Sequence, residues 1–349
     1  MRNSLVLVRK RPALSLVAIA ALSVFVAGCG SDSSVEIGND SVSPPEPSSV
    51  EIVTTNAILG SVLQEVLGEG AVSVIIPNGK DPHDYEPSAQ DVAELMDADL
   101  IVETGLAYDE GLDKTIDSAR DKGVRIFTVS DHVTLKDSDG EVIAEHSEEG
   151  HDEHKEHSEE GHDVHKEDHE EGHDEHSHDG SDPHFLSDPE TMKQMVPALI
   201  EVLEEVTGTD LSSEESALIQ MFEATHADVL STMSSLGDTP CKLVTGHKSM
   251  RYFADRYECE VVGAIIPGAS STAEATAGQL ADLKTSAQEA DVRAIFVDEG
   301  TPSQVANQIA SEIGVGVFQL PSHTVPNTGG YKAYVVLLAD VIVEGLTTE

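Results

Sequence analysis

Val72-Ser73-Val74-Ile75-Ile76-Pro77-Asn78-Gly79-Lys80-Asp81-Pro82-His83 is the stretch on which the rest of the chain can be read. The apolar run 72–77 has the length and β-branched content of a buried strand. It delivers a polar Asn-Gly-Lys turn and then Asp-Pro-His. Proline fixes its own φ and restrains the residue before it, so His83 leaves the backbone in a defined direction. A helix follows, with Ser88 at its N-cap and Val92, Leu95 and Met96 on its apolar face. Strand, ligand-bearing turn and helix form one unit of a parallel α/β sheet. In such sheets ligands bind outside the carboxyl ends of the strands.

The same grammar extends in both directions. Strands are predicted at 51–57, 100–105 and 124–130, with helical patterns between them. A second set is predicted at 242–247, 260–266, 294–299 and 315–321, with helices at 250–257, 273–290 and 303–313 and a last one from about Tyr331. Between the two sets lie strongly helical segments, from Pro189 through Val206 and from Ser212 or Ser213 through Met233. The expected fold class is α/β, with two lobes that each carry a parallel four-stranded sheet and flanking helices. The expected boundaries are an N-terminal lobe over 50–186, linking helices over 187–237 and a C-terminal lobe over 238–349.

Residues 1–28 stand apart and read as a lipoprotein signal peptide. Arg2, Arg9, Lys10 and Arg11 precede an apolar run, Ala13 to Ala27, too short for an ordinary membrane span. The run ends Val26-Ala27-Gly28-Cys29, which resembles a lipobox with Cys29 as the lipidated residue. The Ser-, Asp-, Gly- and Pro-rich stretch 29–49 reads as a tether to the membrane. The chain is therefore expected outside the cytoplasm, on the extracytoplasmic face. There a disulfide is permitted. Cys241 and Cys259 each precede an apolar strand, and they would lie side by side if those strands are parallel neighbours.

The chain has 20 basic and 65 acidic residues, a formal net charge of -45. Such a surface repels nucleic acid and anionic lipid and attracts cations. Part of the charge sits in an insert, 137–181, containing three eleven-residue repeats that begin at His146, His157 and Asp168. Ten of the 16 His lie in it: His146, His151, His154, His157, His162, His165, His169, His173, His176 and His178. With almost no apolar residue, it has nothing to offset the entropy of ordering and is expected to be mobile. His at this density, flanked by carboxylates, suits an accessory metal-collecting loop.

Outside the insert, Asp182-Pro183-His184 repeats the first tripeptide, His247 ends a predicted strand and His323 lies just past another. Four imidazoles meeting between two lobes would make a closed tetrahedral site, the arrangement zinc favours. Asp81, Glu86 and Asp182 are candidate acceptors for the second N–H of those rings. His132 is less constrained and is left out. His226 lies in a helical stripe and reads as structural.

Gly79-Lys80-Asp81-Pro82-His83-Asp84-Tyr85-Glu86-Pro87, Asp182-Pro183-His184-Phe185-Leu186-Ser187-Asp188-Pro189 and Thr245-Gly246-His247 together resemble the ligand loops of metal-specific solute-binding lipoproteins of bacterial ABC importers. The resemblance runs from about Val50 to Gly345. A His-rich insert before the second loop is similar to that of the zinc-type members. Leu186 stands where the family usually has an aromatic. The resemblance implies a long helical backbone joining the lobes, a metal site in the cleft between them, and a permease and its ATPase as partners. The family's fourth ligand is usually a carboxylate, in the region that here reads Leu320-Pro321-Ser322-His323-Thr324. His323 takes that place, with Glu299 or water as the alternatives. Zn²⁺ is the expected cargo and Mn²⁺ the alternative. An adhesin or metal buffer on the same fold is a further reading. A zinc hydrolase is a weaker one, because no HExxH is present.

Overall fold

A computed structural model describes residues 50–137, 140–143 and 180–348. The proposed signal, Cys29, the tether and the ten His of the insert lie outside the described residues. The first sheet is built from β1 (Ile52–Asn56), β2 (Val72–Ile76), β3 (Leu100–Glu103) and β4 (Arg125–Thr128). All its pairings are parallel, in the order β2-β1-β3-β4. The second sheet holds β5 (Lys242–Thr245), β6 (Glu260–Ala264), β7 (Ala294–Val297) and β8 (Gly316–Gln319). Its order, β6-β5-β7-β8, is the same plan. In each sheet the strand order reverses beside its first strand, and the crevice at that switch is where an α/β fold binds its ligand.

Helices α1 (Ala57–Leu67), α2 (Ala89–Asp97) and α3 (Asp113–Asp121) belong to the first lobe, and α7 (Arg251–Arg256), α8 (Ala277–Glu289) and α9 (Ser303–Ile313) to the second. Between them run α4 (Pro189–Met192), α5 (Val196–Thr207) and the 22-residue α6 (Ser212–Met233). The chain closes with α10 (Gly330–Thr347). This helix packs on α6 and α1 as well as on β7 and β8. One buried core consequently runs from Ile52 to Leu346 and includes Leu63, Phe222, Tyr331 and Leu338. Two smaller cores, around Ile101 and Ile295, fill the outer faces of the sheets.

Two helices differ from expectation for local reasons. The segment 189–206 is not continuous, because a 3-10 turn at Lys193–Met195 separates α4 from α5. Pro197 has no N–H for the Lys193 carbonyl, and its ring crowds it. The Val196 N–H bonds that carbonyl instead. Helix α8 begins at Ala277 rather than 273, because Thr276 caps it. Its Oγ1 accepts from Gln279 N, and Gln279 Oε1 accepts from Thr276 N at 2.9 Å, a reciprocal capping box. Cys241 and Cys259 form a disulfide where β5 and β6 begin.

Candidate metal centre

The two Asp-Pro-His tripeptides work alike. Asp81 Oδ1 accepts the His83 N–H at 3.0 Å and caps the turn Pro82–Asp84. Asp182 Oδ1 accepts the His184 N–H at 3.0 Å and also lies 2.7 Å from His184 Nδ1. Behind the second turn, Asp188 caps α4 and receives Arg256 Nε and Nη2, both at 2.9 Å or just above. His247 leaves β5 through Gly246. A Cβ on Gly246 would fall 1.8 Å from Thr301 Oγ1 and 2.9 Å from Asp298 Oδ1, so only glycine lets the strand end there. His323 follows β8, and its carbonyl accepts the Gly79 N–H at 2.9 Å.

These four loops converge. His83 Nε2 lies 3.2 Å from His184 Nε2, which lies 3.1 Å from His247 Nε2. All four rings are at most 5% exposed. Four nitrogens at about 2.0–2.1 Å around a tetrahedral zinc stand about 3.3–3.4 Å apart. The two edges that meet at His184 Nε2 are thus already near those of such a site. His83, His184 and His247 form a group whose ligand atoms all fall within 4.8 Å of one another. His323 is outside that tight group. Its ring sits 6.4 Å from that of His247, nearly parallel to it. Its Nε2 is buried without a hydrogen bond, 3.9 Å from Asp81 Oδ1.

Carboxylates back two of the rings. Besides Asp182, hydrogen-bonded to His184 Nδ1, Asp298 Oδ2 stands 2.5 Å from His247 Nδ1, a close ion-pair contact off the line of a regular hydrogen bond. Burial alone would raise the Asp298 carboxyl, but the contact with His247 and the Thr301 hydroxyl hold it well below the usual range. A carboxylate behind Nδ1 keeps a proton there and leaves the Nε2 lone pair facing inward. Burial, reinforced by the neighbouring imidazoles, lowers His83 to about 2. Burial also lowers His323, to about 4. Both rings are therefore neutral, as metal ligation requires.

The other expected acceptors fall elsewhere. Glu86 is exposed and is not brought to the cluster. Asp81 Oδ2 accepts from the Ser271 hydroxyl across the cleft. Glu299 Oε1 accepts from Thr324 Oγ1 at 2.8 Å, and its buried Oε2 has no partner among the described residues. A cavity of about 690 Å³ beside the cluster is lined by Lys80, Asp81, Asp84, Ser271 and Glu299 among others. His132 stacks on Phe127 and His226 lies against Tyr257, both away from the cluster.

Two residues of the site have no forerunner in the sequence reading. Asp298 is one. The run Ala294 to Glu299 ends in two acids, and an offset of one residue in the strand decides which of them faces the cleft. Tyr108 is the other. Its ring stands edge-on to His83 at 5.3 Å and to His184 at 5.6 Å. Its hydroxyl is 3.2 Å from His323 Nδ1. It is reached through Gly105, Leu106 and Ala107, all left-handed, with φ of 85°, 56° and 54°. The left-handed conformation costs a non-glycine residue roughly 1–2 kcal/mol. Asp109, buried and hydrogen-bonded to Thr55, Asn56 and the Thr104 N–H, holds the turn from below. Its place at the carboxyl end of β3, beside the switch point, is the one signal that could have singled out Tyr108.

The high-affinity zinc uptake system protein ZnuA of Bacillus subtilis is 30% identical over 301 residues, covering 86% of this chain and 85% of that protein. The manganese-binding lipoprotein MntA of Halalkalibacterium halodurans is 23% identical over 304 residues, with the same 86% and 85% covered. Among solved structures, the periplasmic zinc binding protein TroA from Treponema pallidum superposes with a TM-score of 0.65 at 21% identity, over 85% of this chain and 99% of that one. A crystal structure of ZnuA gives the same score at 19% identity. The family described as zinc-uptake complex component A, periplasmic, matches residues 52–345. That span takes in both sheets and every loop that brings a histidine to the cleft, and this chain belongs to that family, ZnuA.

Proposed function

We propose that this chain is the extracytoplasmic receptor of an ABC-type importer, capturing Zn²⁺ between its lobes and delivering it to a permease and ATPase. His83, His184 and His247 are the ligands through Nε2, and His323 is the fourth. The observation that carries this is three buried Nε2 atoms drawn from both lobes, with His184 Nε2 3.2 Å from that of His83 and 3.1 Å from that of His247, all three within 4.8 Å of one another. Binding and release suffice for the role, and no reaction is assigned to the site. A lipid on Cys29 would hold the receptor at the membrane, and the acidic surface would draw cations toward it.

Manganese is the competing cargo, supported by the likeness to MntA and by the unpartnered oxygen of Glu299. Nitrogen donors favour zinc over manganese, which prefers oxygen. The test is elemental analysis of the chain purified without added metal, followed by competition of Zn²⁺ and Mn²⁺ against a chromophoric chelator. Zinc is expected to copurify and to win. Losing a residue behind a ligand typically costs 10–100-fold in affinity, so His→Ala at 83, 184 or 247 should cost more than about 100-fold. Unchanged affinity in all three variants would place the site elsewhere.

A further inference from the structure

We propose that Tyr108 is a positioning residue for metal capture: its hydroxyl selects the tautomer of His323 and so decides whether that ring can act as the fourth ligand. The inference rests on the zinc-receptor reading and goes beyond it by naming what controls the fourth donor.

The argument begins with the groups behind each ring. His184 and His247 have carboxylates at Nδ1, at 2.7 Å and 2.5 Å. A carboxylate only accepts, so it fixes the proton on Nδ1 and commits Nε2 to ligation. His323 has a phenol there instead, at 3.2 Å. A phenol both donates and accepts. When Tyr108 accepts from Nδ1–H, the His323 Nε2 carries a lone pair and can bind a metal. When Tyr108 donates to Nδ1, Nε2 carries the proton and turns a donor toward Asp81, whose Oδ1 is 3.9 Å away. The two arrangements have the same total charge and differ by the placement of one proton on the ring and the turn of one O–H. Neither oxygen nor ring has to leave its place.

The surroundings show that Tyr108 is held for this contact. It is 3% exposed, and its turn passes through two non-glycine residues in the left-handed region. Strain of this kind persists where the surrounding structure over-determines it, and it gathers at ligand clamps. Here Asp109 supplies the anchor, through Thr55, Asn56 and Thr104. The unpartnered Nε2 of His323, on a ring 5% exposed, is the second observation pointing to a ligand.

The test is a double-mutant cycle on the full chain, made metal-free and titrated with Zn²⁺ against a chromophoric chelator. Tyr108→Phe removes only the hydroxyl. It should weaken Zn²⁺ binding by about 10–100-fold in the wild-type background, the usual effect of losing a group that orients a ligand. In the His323→Ala background the same change should cost less than about twofold, because the ring it acts through is gone. Equal losses in both backgrounds would mean a packing role and overturn the proposal. No loss in the wild-type background would overturn it as well.

A second measurement needs no substitution. Long-range ¹H–¹⁵N spectra of the zinc-loaded wild-type chain should show His323 protonated at Nδ1. A proton on Nε2 overturns the assignment. The failures are distinguishable. If His323→Ala leaves affinity intact while the other three His→Ala variants lose it, the fourth-ligand role and this proposal fail but the metal centre stands. If none of the four matters, the receptor reading fails first.

Discussion

His83 is the imidazole with neither a carboxylate nor a phenol behind it. Its Nδ1 is buried without a hydrogen-bond partner among the described residues, and Tyr108 and His247 meet it edge-on. Burial is thus the main influence on its proton, and it lowers the ring to about 2. In the unfolded chain an imidazole titrates near 6.5. Between those values the unfolded chain binds the extra proton, so His83 contributes stability that is whole above about pH 6.5 and is lost as the pH falls. Glu299 works in the opposite sense, because burial raises its carboxyl. A single acid profile therefore mixes signs, and the difference between wild type and His83→Asn isolates the ring. In the metal-free chain that difference should shift against wild type by about 1.4 kcal/mol per pH unit below pH 6.5. Urea unfolding at pH 7.5, 6.0 and 5.0 measures it, and a constant difference would show that His83 is protonated when folded. The same residue shows what the sequence discloses. Asp-Pro-His is a local device whose cap, turn and ring direction are set within three residues. The partners of His247 and His323 come from other strands, and nothing near either histidine in the sequence names Asp298 or Tyr108.

At the scale of elements, the site is a product of strand ends. The first sheet delivers His83 after β2 and Tyr108 after β3, and the second delivers His247 after β5, Asp298 after β7 and His323 after β8. The alternation of apolar runs with helical stripes made this legible, since parallel strands buried on both faces read as continuous apolar segments. What lies between the lobes was less so. Asn78 pairs its side-chain amide with both the N–H and the carbonyl of Val325, at 2.7 Å each, and so ties the His83 loop to the His323 loop. A contact spanning 247 positions leaves no periodic trace. The disulfide sits at the opposite ends of β5 and β6 from His247, and its role is accordingly separate from binding. It closes a loop of 18 residues, for which the loss of unfolded-chain entropy is worth about 3 kcal/mol. Reduction, or Cys→Ser at both positions, should lower Tm by several degrees while leaving zinc affinity within about twofold. A tenfold loss of affinity on reduction would show that strain passes along β5 to the metal centre.

For the whole molecule the question is how a chain of net charge -45 keeps a buried imidazole cluster distinct from a surface of cation-attracting carboxylates. Depth is one part of the answer: the clustered imidazoles are sealed by both lobes, while most acids among the described residues are exposed. Separation along the chain is the other. The His- and acid-rich insert enters and leaves the fold through a closed stem. Asp137 bridges Ser181, the Asp182 N–H bonds the Lys136 carbonyl at 2.8 Å, and Lys136 bridges Val142. Lys136 is in turn tied to α7, through its N–H to the Tyr252 hydroxyl and its ammonium to Asp255, both at 2.8 Å. The stem therefore holds Asp182, and with it His184, whatever hangs from its far end. Excising 144–179 should leave Tm of the metal-free chain nearly unchanged and preserve one tight Zn²⁺ site. The weaker equivalents contributed by the ten insert histidines should disappear from a calorimetric titration. Because the excision also removes much of the acid charge, capture at low ionic strength should slow while the tight dissociation constant stays, and the difference should fade in high salt. Stopped-flow capture at two salt concentrations separates these terms. If the tight site vanishes with the insert, the insert itself holds the metal, and the cluster between the lobes is a polar core with another purpose.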